Sequence, residues 1–169
     1  AFTDKFMRSY KEGNQKARMF LAEMAKSAWR TGDPGCFFID AVNRDNPTPW
    51  LGKLEGSNPC GEVPLLHAEA CVLGSINLAK YVNNARNTVL WEQLKQDIEV
   101  GVRFLDNVVS VSVFPAEVIT EAVQRTRKIG LGVMGWADML ALLEVDYASN
   151  RALEVAEDVM TFIERISNE

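Results

Sequence analysis

The segment Ser57-Asn58-Pro59-Cys60-Gly61-Glu62 carries the residue types with the most chemical potential in this sequence. A cysteine set between Pro and Gly sits on a tightly turned backbone that holds the thiol away from the main chain. An amide, Asn58, and a carboxylate, Glu62, lie two residues to either side, and on an extended loop both would project on the side of the sulfur. A free thiol ionises near pH ~8.5, so about 3% is thiolate at neutral pH, and an adjacent carboxylate disfavours the anion further. A nucleophilic cysteine wants the reverse, a His or a helix amino terminus that favours the anion. The setting therefore suits a thiol that stays S–H, and hence hydrogen-atom chemistry, with Glu62 as a general base toward a substrate hydroxyl. Beside this stands the plainer reading of Asn-Pro-Cys-Gly as an ordinary turn with a half-buried cysteine, which composition alone favours.

Cys71 opens the run Cys71-Val72-Leu73-Gly74-Ser75-Ile76-Asn77-Leu78. With Cys60 and His67 it suggests a zinc set, but the spacing contains no CxxC pair and a fourth ligand is missing, so no metal site is assigned. His67 is the only histidine, which leaves no Cys/His nucleophile pair unless His67 itself serves. Cys36, in the apolar run Cys36-Phe37-Phe38-Ile39, reads as a small buried hydrophobe. Gly130-Leu131-Gly132-Val133-Met134-Gly135 matches a dinucleotide fingerprint, yet the expected acidic residue about twenty positions later falls near Asn150. Those glycines are better read as close packing in a strand with a tight exit into a helix.

These residues belong to a chain of 169, 47% hydrophobic, with 18 Lys and Arg against 23 Asp and Glu and a formal charge of -5. That describes one soluble globular domain or a piece of a larger one. A compact chain of this length buries roughly 70% of its unfolded surface, so no disulfide or metal staple is required. Basic residues are scattered apart from Arg125, Arg127 and Lys128, which argues against a nucleic-acid or anionic-membrane partner. No membrane span and no secretory pattern are seen, so a cytoplasmic protein with reduced thiols is expected.

The elements that must position the site follow from periodicity. Ala17, Phe20, Leu21, Met24, Ala25 and Ala28 keep helical spacing from Gln15 to Arg30, and the Gly32 and Pro34 that follow end the helix. Cys36 to Ile39 reads as a short buried strand, Asn43 to Trp50 as a loop, and Cys71 to Leu78 as a strand. The longest helix is expected from Leu90 to Ser112, a shorter one from Ala116 to Thr126, a strand from Ile129 to Val133, a helix from Gly135 to Leu143, and a closing helix from about Asn150. Strands separated by helices predict an α/β arrangement with largely parallel pairing. The three or four strands found are few for a complete α/β domain. The last apolar stripe, ending at Ile163 and Ile166, meets no stop signal, so a piece of a longer chain is expected.

Six motifs in order, Trp29-Arg30-Thr31-Gly32-Asp33-Pro34-Gly35, Asn43-Arg44 through Asn46-Pro47-Thr48-Pro49, Ser57 to Glu62 with Pro64-Leu65-Leu66, Cys71 with Leu73 to Leu78, Val102 to Val108, and Arg127 to Gly135, closely resemble the catalytic subunit of ribonucleotide reductase. The Asn-Pro-Cys-Gly-Glu wording looks most like its adenosylcobalamin-dependent, class II branch. The resemblance implies a ten-stranded α/β barrel with a central finger loop, here at about residues 56–64, with residues 1–169 forming part of that one barrel domain and no separate second domain. It implies a thiyl radical on Cys60 that takes hydrogen from the ribose 3′ carbon, with Glu62 taking the 3′ hydroxyl proton and Asn58 holding the ribose hydroxyls. Cys71 matches one member of the redox pair, and Ser57, Asn58, Pro59, Cys60, Gly61 and Glu62 match the substrate-facing loop. Adenosylcobalamin is the implied cofactor, with a metal-containing radical partner subunit as the class I alternative.

The implied partners are a ribonucleotide, the remainder of the reductase chain or a complementary split fragment, a thioredoxin-type reductant, and a second copy in a homodimer. Val72 stands where the family commonly has Asn, and His67-Ala68 replaces a Pro-aromatic pair. On its own the chain is expected neither to reduce nucleotides nor to bind cobalamin tightly. Two other readings remain open at this point: a non-catalytic remnant or assembly module of the same fold, and a small metal-binding protein.

Overall fold

The computed structural model describes residues 1–83 and 85–169. The chain forms two compact units, Ala1–Ala70 and Cys71–Glu169. In the first, α1 (Asp4–Lys11) is capped by Thr3, whose Oγ1 accepts the Phe6 amide, and α2 (Gln15–Thr31) by Asn14, whose Oδ1 accepts the Ala17 amide. Each cap satisfies an amide that the first helical turn leaves without a partner. Gly32 closes α2 in the left-handed region, as the sequence predicts.

The expected strand at Cys36–Ile39 is not there. Phe38 makes one parallel bridge with Phe2, and α3 (Ile39–Arg44) starts at the next residue. Four apolar residues in a row do not distinguish a strand from the approach to a helix. Cys36 is exposed rather than a buried hydrophobe. The buried ring of this unit is Phe2, stacked on Phe6 at 4.9 Å and edge-on to Phe20 at 6.5 Å.

Asn43 at the end of α3 fixes the entry to the candidate site. Its Oδ1 accepts the Leu54 amide and its Nδ2 donates to the Leu54 carbonyl, both at 2.9 Å. Leu54, only 4% exposed, is thereby held two residues before β1 (Gly56–Ser57). β1 pairs antiparallel with β2 (Pro64–Leu65), and the Glu55 amide extends the ladder to the Leu65 carbonyl.

In the second unit, β3 (Val72–Asn77) and β6 (Ile129–Met134) pair in parallel over six residues, from Val72 opposite Ile129 to Asn77 opposite Met134. The crossover between them includes the β4 (Val82–Asn83) and β5 (Thr88–Val89) pair, α4 (Trp91–Val111) and α5 (Glu117–Thr126). Leu94, Ile98, Leu105 and Val109 form the buried stripe of α4, one or two helical turns apart. One face of the parallel pair packs on this helix so closely that a Cβ on Gly74 would lie 3.3 Å from Leu105 Cδ2. α6 (Trp136–Leu142) and α7 (Asn150–Ser167) complete the core, with Met139, Leu140, Val159 and Ile163 buried in it.

The α/β expectation and the parallel pairing hold for the longest strands, while the two-residue pairs are antiparallel. Among the described residues the strands form three separate two-stranded sheets and no closed one. No helix among the described residues is long and apolar enough to cross a membrane.

Candidate active site

In the first unit Ser57 ends β1 and its Oγ donates to the Asn58 carbonyl at 3.0 Å. The Gly61 amide then donates to that same carbonyl at 3.0 Å, which closes Asn58-Pro59-Cys60-Gly61 into a β-turn. Asn at the first position, Pro at the second and Gly at the fourth suit this geometry, and Gly61 takes φ +86°, which a side chain would resist. The tightly turned backbone expected at Cys60 is present, and because the segment is not extended the rule that residues two apart share a side does not apply to Asn58, Cys60 and Glu62.

Asn58 is tied down twice more. Its Oδ1 accepts the Val63 amide at 3.0 Å, and its own amide donates to the Val63 carbonyl at 3.4 Å. Val63 is a residue that the sequence reading passed over; the available signal was an Asn at the start of a turn with a backbone donor a few residues on. Because a backbone N–H requires an acceptor, the Asn58 carboxamide is fixed with oxygen inward and its Nδ2 donors available. Cys60 and Glu62 are exposed, and among the described residues no hydrogen bond joins either of them to Asn58.

His67 Nδ1 lies 3.5 Å from Glu55 Oε2, with both side chains largely exposed. Among the described residues no group of three or more His, Cys, Asp or Glu side chains is placed to hold a metal ion.

In the second unit Cys71 is half-buried at the entrance to β3, its Sγ 3.8 Å from the Val72 carbonyl oxygen. The Val72 amide donates to the Lys128 carbonyl at 3.2 Å, so the residue after Cys71 is already held in the ladder. Gly130 and Gly132 lie inside β6 and only Gly135 marks the exit to α6. This is the strand packing expected of those glycines and not a phosphate-cradling turn.

A family model described as "Ribonucleotide reductase, barrel domain" matches residues 2–168. The chain belongs to that family. Membership makes the mixed α/β chain part of a barrel-type fold. Within ribonucleotide reductases, it is 49% identical over 148 residues to a "Vitamin B12-dependent ribonucleoside-diphosphate reductase" of Thermoplasma acidophilum, covering 88% of this chain and 19% of the relative. A protein of the same name from Mycobacterium tuberculosis is 47% identical over 160 residues, covering 92% and 23%. A "Ribonucleoside-diphosphate reductase subunit alpha" of Chlamydia trachomatis is 34% identical over 174 residues, covering 93% and 16%. The chain therefore spans about a fifth of the length of these reductases.

Proposed function

We propose that this chain is the catalytic segment of a ribonucleoside-diphosphate reductase, working as part of a ten-stranded barrel domain whose finger loop is residues 56–64. The observation that carries the reading is the Asn58–Gly61 turn, which holds the exposed Cys60 within it while Asn58 keeps its Nδ2 donors available. Both the diphosphate substrate and dependence on adenosylcobalamin are favoured by the names of the more similar relatives. The class I alternative, a radical from a metal-containing partner subunit, rests on a lower identity.

In this reading Cys60, as a thiyl radical, takes the hydrogen atom from the ribose 3′ carbon. Glu62 accepts the 3′ hydroxyl proton, and Asn58 donates through Nδ2 to the ribose oxygens. The 2′ C–O bond then breaks and its oxygen leaves as water. Cys71 and a second cysteine supply two electrons and two protons, and an S–S bond forms between them. Cys60 returns the hydrogen to the 3′ carbon, Glu62 returns the proton to the 3′ oxygen, and a thioredoxin-type dithiol reduces the disulfide for the next cycle. Adenosylcobalamin, when bound, supplies the one-electron oxidant for a thiol. What fits it here is Cys60, which is exposed and so open to approach.

Cys60→Ala in the full-length polypeptide tests the proposal. Turnover is expected to vanish while nucleotide binding, measured by equilibrium dialysis, persists. A Cys60→Ala enzyme that still forms deoxynucleotides would refute the assignment.

A further inference from the structure

One face of the β3–β6 pair packs on α4; the other is open and carries Leu73, 53% exposed, with Ser75, Gly132 and Met134 also exposed. Close helix packing explains Gly74 on the covered face, but it does not explain two glycines on the open one. Glycine inside a strand is unfavourable and calls for a local reason.

The reason differs between the two. A Cβ on Gly130 would lie 2.6 Å from Leu73 Cδ2 and 3.7 Å from Cys71 Sγ, whereas a Cβ on Gly132 would meet only the Gly74 carbonyl oxygen and Ser75 Oγ, both at 3.7 Å. Leu73 and Gly130 are register partners, so the Leu73 side chain leans over the vacancy that Gly130 leaves. Disulfide formation brings a second sulfur to about 2.05 Å with its Cβ about 3.8 Å from that of the first cysteine. A methyl group on Gly130, 3.7 Å from Cys71 Sγ, would obstruct a second sulfur that comes from that side.

We infer that Gly130 is a positioning residue for Cys71: with no Cβ there, the space beside the sulfur is taken by the movable end of the Leu73 side chain rather than by a fixed methyl, so that side can open for thiol–disulfide exchange. The inference rests on the reading of Cys71 as a redox thiol. Its geometric content, access to one sulfur, is measurable without turnover.

Gly130→Ala and Gly132→Ala are compared in the full-length polypeptide by timed alkylation with iodoacetamide and peptide mass spectrometry. Gly130→Ala is expected to slow labelling of Cys71 about threefold or more, with Cys36 and Cys60 unchanged, since thiol exchange follows access to the sulfur. Gly132→Ala is expected to leave all three rates as they were. Leu73→Ala/Gly130→Ala removes the 2.6 Å approach while keeping the methyl beside the sulfur, so labelling should stay slow relative to Leu73→Ala alone even where the single variant folds poorly. A Cys71 rate in either Gly130 variant that matches or exceeds its reference, or an equal slowing by Gly132→Ala, overturns the inference. Retained turnover in Cys71→Ser would instead defeat the redox reading, and the labelling comparison would still decide whether Gly130 controls access to Cys71.

Discussion

Asn58 Oδ1 accepts the Val63 amide at 3.0 Å across the loop that carries Cys60. One side chain thus closes a five-residue span through its oxygen and keeps its nitrogen for another partner. Asn is suited to both tasks because its carboxamide has an acceptor and two donors on one rigid plane. An ordinary turn and a substrate-holding loop are therefore compatible descriptions of these residues.

The two tasks separate by substitution. Asn58→Ala removes the acceptor and leaves the Val63 amide unsatisfied, a local cost of about 1–2 kcal/mol. Hydrogen exchange at Val63 should then speed up roughly tenfold, since about 1.4 kcal/mol corresponds to a factor of ten. Asn58→Asp keeps an acceptor for Val63 but loses the Nδ2 donors, so exchange should stay slow while turnover falls as far as in the Ala variant. Fast exchange in the Asp variant would show that Oδ1 is not the closing group.

Arg127 is a second residue with two roles. It ends α5 in the left-handed region at φ +46° and reaches α4, with Nε 2.8 Å from Asp106 Oδ1 and Nη2 2.8 Å from the Asp106 carbonyl and 2.9 Å from Ser110 Oγ. The Arg127 side chain is 35% exposed and that of Asp106 48%, so solvent screens the ion pair and the hydrogen bonds to α4 carry most of the effect. Arg127→Ala is expected to cost about 1–3 kcal/mol in urea unfolding. Arg127→Gly removes the same bonds but also the left-handed strain, and should be more stable than the Ala variant by about 1 kcal/mol. Equal midpoints for the two would mean that the backbone strain is relieved elsewhere.

Much of the scaffold is readable from the sequence because long helices bury one stripe. Leu94, Ile98, Leu105 and Val109 define α4 to within a residue at each end, and Ala152, Val159, Ile163 and Ile166 mark α7, which starts at Asn150 as expected. The strands at Val72 and Ile129 and their parallel pairing are legible because a helical crossover joins them. Short elements are not. α1 is eight residues long, and its apolar Phe6, Met7 and Tyr10 cover little more than one turn, too short a stretch for a period to stand out, although its Thr3 cap was there to be read. Cys36–Ile39 failed for a related reason, an apolar run too short to have a period. At the candidate site the residue types were legible and their directions were not. Whether Asn58 and Glu62 share a side with Cys60 depends on the Asn58–Gly61 hydrogen bond, and that bond is set by the turn and not by alternation. Gly130 was legible as a packing glycine, but its nearness to Cys71 depends on β3–β6 register.

Tyr81 supplies a pH-dependent test of the second unit. It is buried, and its Oη donates to Asp97 Oδ2 at 2.7 Å. Burial, then the hydrogen bond to Asp97 and the carboxylate charge, push its phenol up from 10.0 to about 12. All three favour the neutral phenol, because a phenolate there would be desolvated and would face a carboxylate. In the unfolded chain the phenol ionises near pH ~10, so between that pH and about 12 the unfolded state releases a proton that the folded state keeps. The stability that Tyr81 contributes is therefore full below about pH 10 and declines as pH rises toward 12. Urea midpoints measured between pH 8 and about 11.5 should fall at the alkaline end in the parent, and the fall should be shallower in Tyr81→Phe, which cannot ionise. Tyr81→Phe should also be less stable than the parent at pH 8 by about 1 kcal/mol, for the hydrogen bond lost to Asp97. An alkaline slope unchanged by the substitution would assign the proton release to other groups, and leave Tyr81 as packing alone.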